Sequence, residues 1–297
     1  MKVLVVGATG FVGSQVARTL SARGYQTRVL VRGGRAHSRA SQLEPKFEIV
    51  DGDLTRPETL ASACAGIEAV FCSATSMPQC HENGLLRVDH EGVSALIQAA
   101  EKAGAKKFVY TSYSGNVRYD SPLETAKRSC ERLLLNSAMW AVILRPSYFM
   151  EMWLSPALGF DPLKSVARIY GAGTEKISYV SAHDVANFAV AAVEKEISVD
   201  QVVEIGGPGP LSQLEVVSIF ESRLRTKFDL NSVPLEALEM QHGSQDALQK
   251  TFAALMLSYA KGDVVVDAVA NAEKYGIRLH SVAEYASGLV TQSSLPI

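Results

Sequence analysis

Along the first half of the chain, short, mostly apolar runs alternate with longer stretches in which apolar residues recur every three or four positions. The run at 3–6 holds no polar residue and predicts a strand buried on both faces. The runs at 27–31, 47–50, 69–72, 107–111 and 140–144 also have strand length and are read as further strands. Between them, 11–23 carries Val12, Val16 and Leu20 on one helical face and stops at Gly24, a residue suited to a left-handed helix end. The segment 83–103 carries Val93, Leu96, Ile97 and Ala100 at helical spacing and stops at Gly104. A further helix is expected over 123–136. Thr55 with Glu58, Ser181 with Asp184 and Ser212 with Glu215 have the spacing of helix capping boxes. From 148 to 173 the period is lost in a stretch rich in aromatic residues, Met, Pro and Gly, and 202–205 reads as a late strand. Strand and helix in strict alternation predict an α/β fold, a doubly wound parallel sheet with helices on both faces.

The first strand runs into Gly7-Ala8-Thr9-Gly10-Phe11-Val12-Gly13, which leads into the first helix. Glycines at this spacing, between a strand and a helix, permit a sharp turn, a backbone approach to a diphosphate and close packing of helix on strand. The helix N-terminus adds free N–H groups and the positive end of its dipole. The fold class is therefore a Rossmann-type doubly wound parallel sheet, with the C-terminal third packed on it. The dinucleotide-binding domain is assigned to residues 1–155, with 179–206 returning to it, and a second lobe to 156–178 and 207–297. Where a chain that prefers NAD carries an acid, at the end of the second strand, this one carries Arg32. A guanidinium there suits a 2′-phosphate, so the expected cofactor is NADP(H), with Arg35 or Arg39 as a second contact. Asp53 either accepts a hydrogen bond from the adenine amino group or begins the next turn. Leu54, after the third strand, is a further cofactor-binding candidate, and Ser73, after the fourth, is expected along the cofactor channel by backbone contact.

Composition narrows the partners. The formal net charge is -2 and no basic stripe runs along the chain, so nucleic acid is not expected. The longest uncharged apolar stretches, such as 251–260, are too short to span a bilayer. Cys64, Cys72, Cys80 and Cys130 form no metal or disulfide pattern, and His81, His90 and His183 are scattered. No metal is expected. A cytoplasmic setting and a monomer or homodimer are the working expectations, with a small hydrophobic substrate as the partner.

GATGFVG, the VR that ends the second strand, DGDL, YTSYSG, Lys127, ILRPSYFMEMW, YVSAHDVA and EIGGP together resemble the NmrA-like family of atypical, extended short-chain dehydrogenase/reductases. The resemblance runs to about residue 220 and implies a Rossmann-type domain with a smaller, mostly C-terminal substrate lobe, here 156–178 and 207–297. It implies NADPH-dependent reduction of quinones, dyes or isoflavonoid-type acceptors, or else a regulator that binds the dinucleotide without turning it over. It also implies that Pro146 and Phe149 lie against the nicotinamide. Typical short-chain enzymes pair a tyrosine with a lysine four residues on, which shares its helical face. Here Lys127 fits the lysine, but Leu123 stands in the tyrosine's place. Leucine donates no proton, which leaves the usual part of Ser112 and Ser114 open. Either Tyr113, Tyr119, Tyr148 or water protonates the substrate, with Lys127 on the nicotinamide ribose, or the acceptor is electrophilic enough to need no dedicated acid. Lys127 and Tyr113 are the catalytic candidates. Tyr148, Phe149, Met150, Met152, Trp153 and Phe160 are candidates for an apolar substrate wall. Sugar-nucleotide epimerisation, which extended relatives perform, ranks last because it uses the missing tyrosine.

Overall fold

The computed structural model describes residues 1–34, 46–78 and 83–293. Arg35, Arg39, Cys80 and His81 lie outside the described residues. The chain divides into two compact units. The first comprises Met1–Tyr113, Pro122–Arg145 and Val185–Val203; the second comprises Ser114–Ser121, Pro146–Asp184 and Glu204–Ile297.

A seven-stranded sheet organises the first unit. Its strands are β1 (Lys2–Val6), β2 (Gln26–Val31), β3 (Glu48–Asp51), β4 (Ala69–Cys72), β5 (Lys107–Thr111), β6 (Trp140–Pro146) and, after three short strands given below, β10 (Gln201–Ile205). They lie in the order β10-β6-β5-β4-β1-β2-β3. From β3 to β6 every neighbouring pair is parallel. The chain winds outward from β1 in both directions, so a topological switch falls between β1 and β4. Val3, Leu4, Val5 and Val6 are all buried, which is why the strand reads as an unbroken apolar run. One face of the sheet packs Leu4, Val70, Phe108 and Ile143 against Leu96, Ile97, Cys130 and Leu134 from the helices Val93–Lys102 and Pro122–Leu135.

Two local expectations change. The helix expected over 83–103 opens with a π-helical segment, Leu85–Gly92, and becomes α-helical at Val93–Lys102. Gly92 lets this segment press on its neighbour, since a Cβ there would lie 2.6 Å from the Leu54 carbonyl oxygen. The Thr55–Glu58 capping box does not form. The Thr55 amide and hydroxyl instead donate to Asp53 Oδ1 at 2.8 and 2.9 Å, closing a local turn, and the 3-10 turn Pro57–Thr59 starts with no side-chain cap.

The second unit has its own core. The strands β7 (Phe160–Asp161), β8 (Val166–Tyr170) and β12 (Asp229–Val233) form one small sheet, and β9 (Lys176–Ile177) pairs with β11 (Leu211–Ser212). The Ser212–Glu215 capping box forms in full on the helix Gln213–Leu224. At Ser181 only half the box appears. The Asp184 amide donates to the Ser181 hydroxyl at 3.0 Å, but the Asp184 carboxylate turns to His280, accepting from its amide at 2.7 Å and meeting its Nδ1 at 2.5 Å. The stretch 148–173, aperiodic in sequence, forms the short helix Met150–Trp153, a 3-10 turn at Pro156–Leu158, and β7 and β8. Burial of its aromatic residues in the second core replaces helical or strand period as the ordering force.

Candidate functional site

The parallel registers set Val6 beside Leu30 and Cys72, and Cys72 beside Tyr110. The residues just past these strand ends therefore share one edge of the sheet: the glycine turn after β1, Arg32 after β2, Ser73 after β4 and Ser112 after β5. At the turn, Gly7 has φ +91°, a conformation glycine takes without strain. A Cβ on Gly7 would sit 2.9 Å from Ser73 Oγ and 3.0 Å from the Ala74 amide nitrogen, while one on Gly13 would collide with the Gly7 carbonyl. The Gly10 amide donates to Gly7 O at 2.9 Å and the Ser73 amide to Val6 O at 3.0 Å. The helix Phe11–Ala22 then begins with no side-chain cap and no acid in its first turn. Its first N–H groups lack intrahelical acceptors. Val12 and Gly13 face inward, Thr9 is half-buried and Phe11 is 64% exposed. An uncapped helix start behind a cradle that a Cβ would fill fits a diphosphate.

Arg32 is exposed at the end of β2 and has no ion-pair partner among the described residues. Asp53 Oδ1 is taken by the Thr55 turn, and Leu54 is buried in the core. Burial pushes the Cys72 thiol up to about 12. It stays protonated, as expected of a packing residue.

Lys127 points inward from the helix Pro122–Leu135 and is 5% exposed. Its Nζ donates to the Thr111 carbonyl at 3.3 Å, lies 5.0 Å from the centre of the Tyr110 ring, and stands 3.9 Å from Asp89 Oδ1. Leu123, one turn earlier, is also buried, so the place of the usual acid is filled by hydrocarbon. One turn later Glu131 is 3% exposed. Burial alone would raise its carboxyl. The Arg145 bond at 2.5 Å, Ser112 and Arg128 outweigh that and hold it below the ordinary carboxylate range. Tyr113 is half-buried beneath Arg128, whose guanidinium lies 5.0 Å from the ring centre and donates to the Tyr113 carbonyl at 3.3 Å.

The remaining candidates belong to the second unit. Pro146 is buried and its carbonyl accepts from the Ser114 amide at 3.0 Å. Phe149 is half-buried; its carbonyl accepts from the Trp153 amide at 2.9 Å and starts the short helix. Ser114 is committed to Asp263, donating to Oδ1 at 2.9 Å, while Ser147 donates to Oδ2 at 2.9 Å. The other two tyrosines named as acids lie in this unit. The Tyr148 hydroxyl donates to the Leu255 carbonyl at 3.1 Å inside the core, and Tyr119 packs edge-on to His242.

The apolar wall needs a larger correction. Tyr148, Met150 and Phe160 are buried core residues, and Trp153 stacks on Tyr259 at 4.3 Å between ring centres. The cavity lined by Trp153, Phe160, Arg168, Tyr170 and Tyr259 measures about 10 Å³, room for one water at most. Of the six residues, only Phe149 and Met152 remain half-buried outside that core. Aromatic density in the sequence marked a second core.

Sequence inspection passed over Asp89, which is fully buried on the π-helical segment, and Glu131. Both carried a signal. Asp89 lies four residues before Val93 on the apolar stripe of its helix, and Glu131 lies four after Lys127.

A parallel sheet that reverses at a glycine turn, with an uncapped helix behind it, defines a dinucleotide-binding Rossmann protein. A family described as NAD(P)H-binding matches residues 7–196, and the chain belongs to that family, in the NmrA-like group of atypical short-chain dehydrogenase/reductases. It is 30% identical over 256 residues to the photosystem II assembly factor Ycf39 of Synechocystis, covering 86% of this chain and 77% of the relative. It is 28% identical over 278 residues to the NAD(P)H azoreductase of Xenophilus azovorans, covering 90% and 91%. Among solved structures, the NADPH-dependent quinone oxidoreductase QOR2 of Escherichia coli in complex with NADPH superposes with a TM-score of 0.80 at 21% identity, covering 98% of this chain and all of that one. Among the described residues, no helix is long and apolar enough to cross a membrane.

Proposed function

We propose that this protein is an NADPH-dependent reductase acting on a hydrophobic electrophilic acceptor such as a quinone, enone or imine-like compound. Bound NADPH supplies the hydride. Backbone amides of Thr9, Phe11, Val12 and Gly13 hold the diphosphate, with Gly7, Gly10 and Ser73 shaping the cradle. Arg32 pairs with the 2′-phosphate. Asp53 and Leu54 flank the adenosine by backbone, Lys127 holds the nicotinamide ribose, and Pro146 and Phe149 bound the nicotinamide. Tyr113 is a candidate proton donor. The second unit, with residues 156–178 and 207–297, contributes substrate binding.

One observation carries this reading: Lys127 keeps the register and burial of the short-chain enzymes' lysine while Leu123 fills the acid's place. That combination suits an acceptor that takes its proton from water once reduced. The azoreductase relative and the quinone reductase that shares the fold work on acceptors of this kind by name. NADPH oxidation is expected with a quinone panel including menadione and with azo dyes. Arg32→Ala is expected to shrink the preference for NADPH over NADH by about tenfold to a hundredfold, the weight of a charge-assisted phosphate contact. An unchanged preference removes Arg32 from the reading, and no turnover despite tight NADPH binding removes the enzyme.

Leu123 also favours a second reading, a dinucleotide-sensing regulator without turnover, and the relatives named assembly factors agree with it. That reading expects unequal affinities for NADPH and NADP+ and capture of a protein partner, with no acceptor reduced.

A further inference from the structure

Among the described residues, Asp89 is the one buried carboxylate near Lys127 with no other cation beside it. Its Oδ2 is anchored, accepting from the Ser76 amide at 2.9 Å and from the Ser76 hydroxyl at 2.6 Å. Its Oδ1 is fully buried, has no hydrogen-bond partner among the described residues, and faces Lys127 Nζ at 3.9 Å. The other groups around the ammonium are the Thr111 carbonyl, the Tyr110 ring and the protonated thiols of Cys72 and Cys130. Glu131, on the same helix, is committed to Arg128 and Arg145.

We infer that Asp89 is a positioning residue for Lys127, a fixed counter-charge that holds the buried ammonium at the cofactor edge while leaving its N–H donors for a ligand. This rests on the reading that Lys127 binds the cofactor.

A buried ammonium is costly without an opposite charge nearby. A separation of 3.9 Å offsets that cost electrostatically but is too long for a hydrogen bond. The Thr111 bond at 3.3 Å is also long. Among the described residues Lys127 is thus attracted from two sides and locked by neither, and an ammonium has three donors to give. The π-helical segment, seated close by Gly92 against Leu54, sets the depth of the carboxylate. Ser76 stands three residues beyond Ser73 and ties the same carboxylate to the loop that lines the glycine turn. One side chain therefore joins the loop at the diphosphate end to the lysine at the ribose end.

The test is NADPH affinity, measured by fluorescence titration, for Asp89→Asn, Lys127→Met and the double variant, with thermal unfolding as the control for fold. Asn keeps the shape and an acceptor for Ser76 but loses the charge. Lys127→Met is expected to weaken NADPH by about tenfold, Asp89→Asn by about fivefold, and the double variant no more than Lys127→Met alone, because contacting residues do not add. Ser76→Ala, which loosens the carboxylate without discharging it, is the second variant if Asp89→Asn does not fold. It is expected to cost about twofold, and nothing when Lys127 is Met. Additive losses, or full affinity in Asp89→Asn beside a weakened Lys127→Met, overturn the inference and leave the reading of Lys127 standing. Full affinity in Lys127→Met overturns both.

Discussion

Two clusters, one in each unit, handle their polar groups in opposite ways. Around Lys127 the bonds are slack: one long contact to Thr111, an ion pair beyond hydrogen-bond reach, and a carboxylate oxygen with no partner among the described residues. In the second unit four tyrosines share a tight aromatic core, and each hydroxyl is engaged: Tyr179 with Tyr259 at 2.6 Å, Tyr170 with the Leu158 carbonyl, Tyr148 with the Leu255 carbonyl. Burying an unpaired polar atom costs free energy, so an unfilled contact persists where something other than stability keeps it. The slack cluster has the character of a site that a ligand completes. The aromatic cluster, for all its resemblance in sequence to a substrate wall, has the character of a core.

The difference can be broken or sharpened by substitution. The largest effect is expected at the glycine turn. Gly13→Ala sets a methyl against the Gly7 carbonyl. Overpacking of this kind costs about 1–3 kcal/mol, and paid out of the turn's ligand-ready shape it weakens NADPH roughly tenfold to a hundredfold by calorimetry. Unchanged affinity would separate the turn from cofactor binding. Tyr259→Phe is the converse. It strands the Tyr179 hydroxyl in the second core and is expected to lower stability by about 1–3 kcal/mol in denaturant unfolding, while NADPH affinity stays put. A matching loss of affinity would mean that the aromatic cluster takes part in the site after all.

The smallest effect concerns acid. Glu215 is held at about 2, first by its Lys176 bond and then by the Ser212 amide. Its folded value lies below the ordinary 4.5, so the contribution of its charge is present above about 4.5 and is lost as pH falls through about 2. The difference in Tm between the wild type and Glu215→Gln is expected to be small near neutrality and to close across that window. A difference that persists at pH 2 would assign the effect to packing instead of charge.

Much of the first unit was legible because its signals are local. Short, mostly apolar runs gave the strands, and the glycine spacing gave the turn into the first helix. The register of Lys127 with Leu123 showed which half of the usual pair survives. What failed had a cause that spacing does not show: a competing partner, near or far in sequence. Thr55 has the spacing of a cap, but Asp53, two residues back, competes for its amide and hydroxyl. Ser181 caps while Asp184 is drawn to His280, 96 residues away. Asp89 sat on an apolar stripe in plain view, yet an acid on a helix is ordinarily solvated, and only the approach of the helix Pro122–Leu135 makes it the neighbour of a lysine.

The sequence by itself determined the order of the elements, the parallel winding and the glycine turn proposed to hold the dinucleotide, because each depends on backbone preferences and periodicities that act over a few residues. The tertiary structure alone decided which aromatic residues are core, which hydroxyls are committed and which carboxylate faces Lys127. Those depend on burial and on pairs of charges brought together from distant segments, where desolvation makes every partner count.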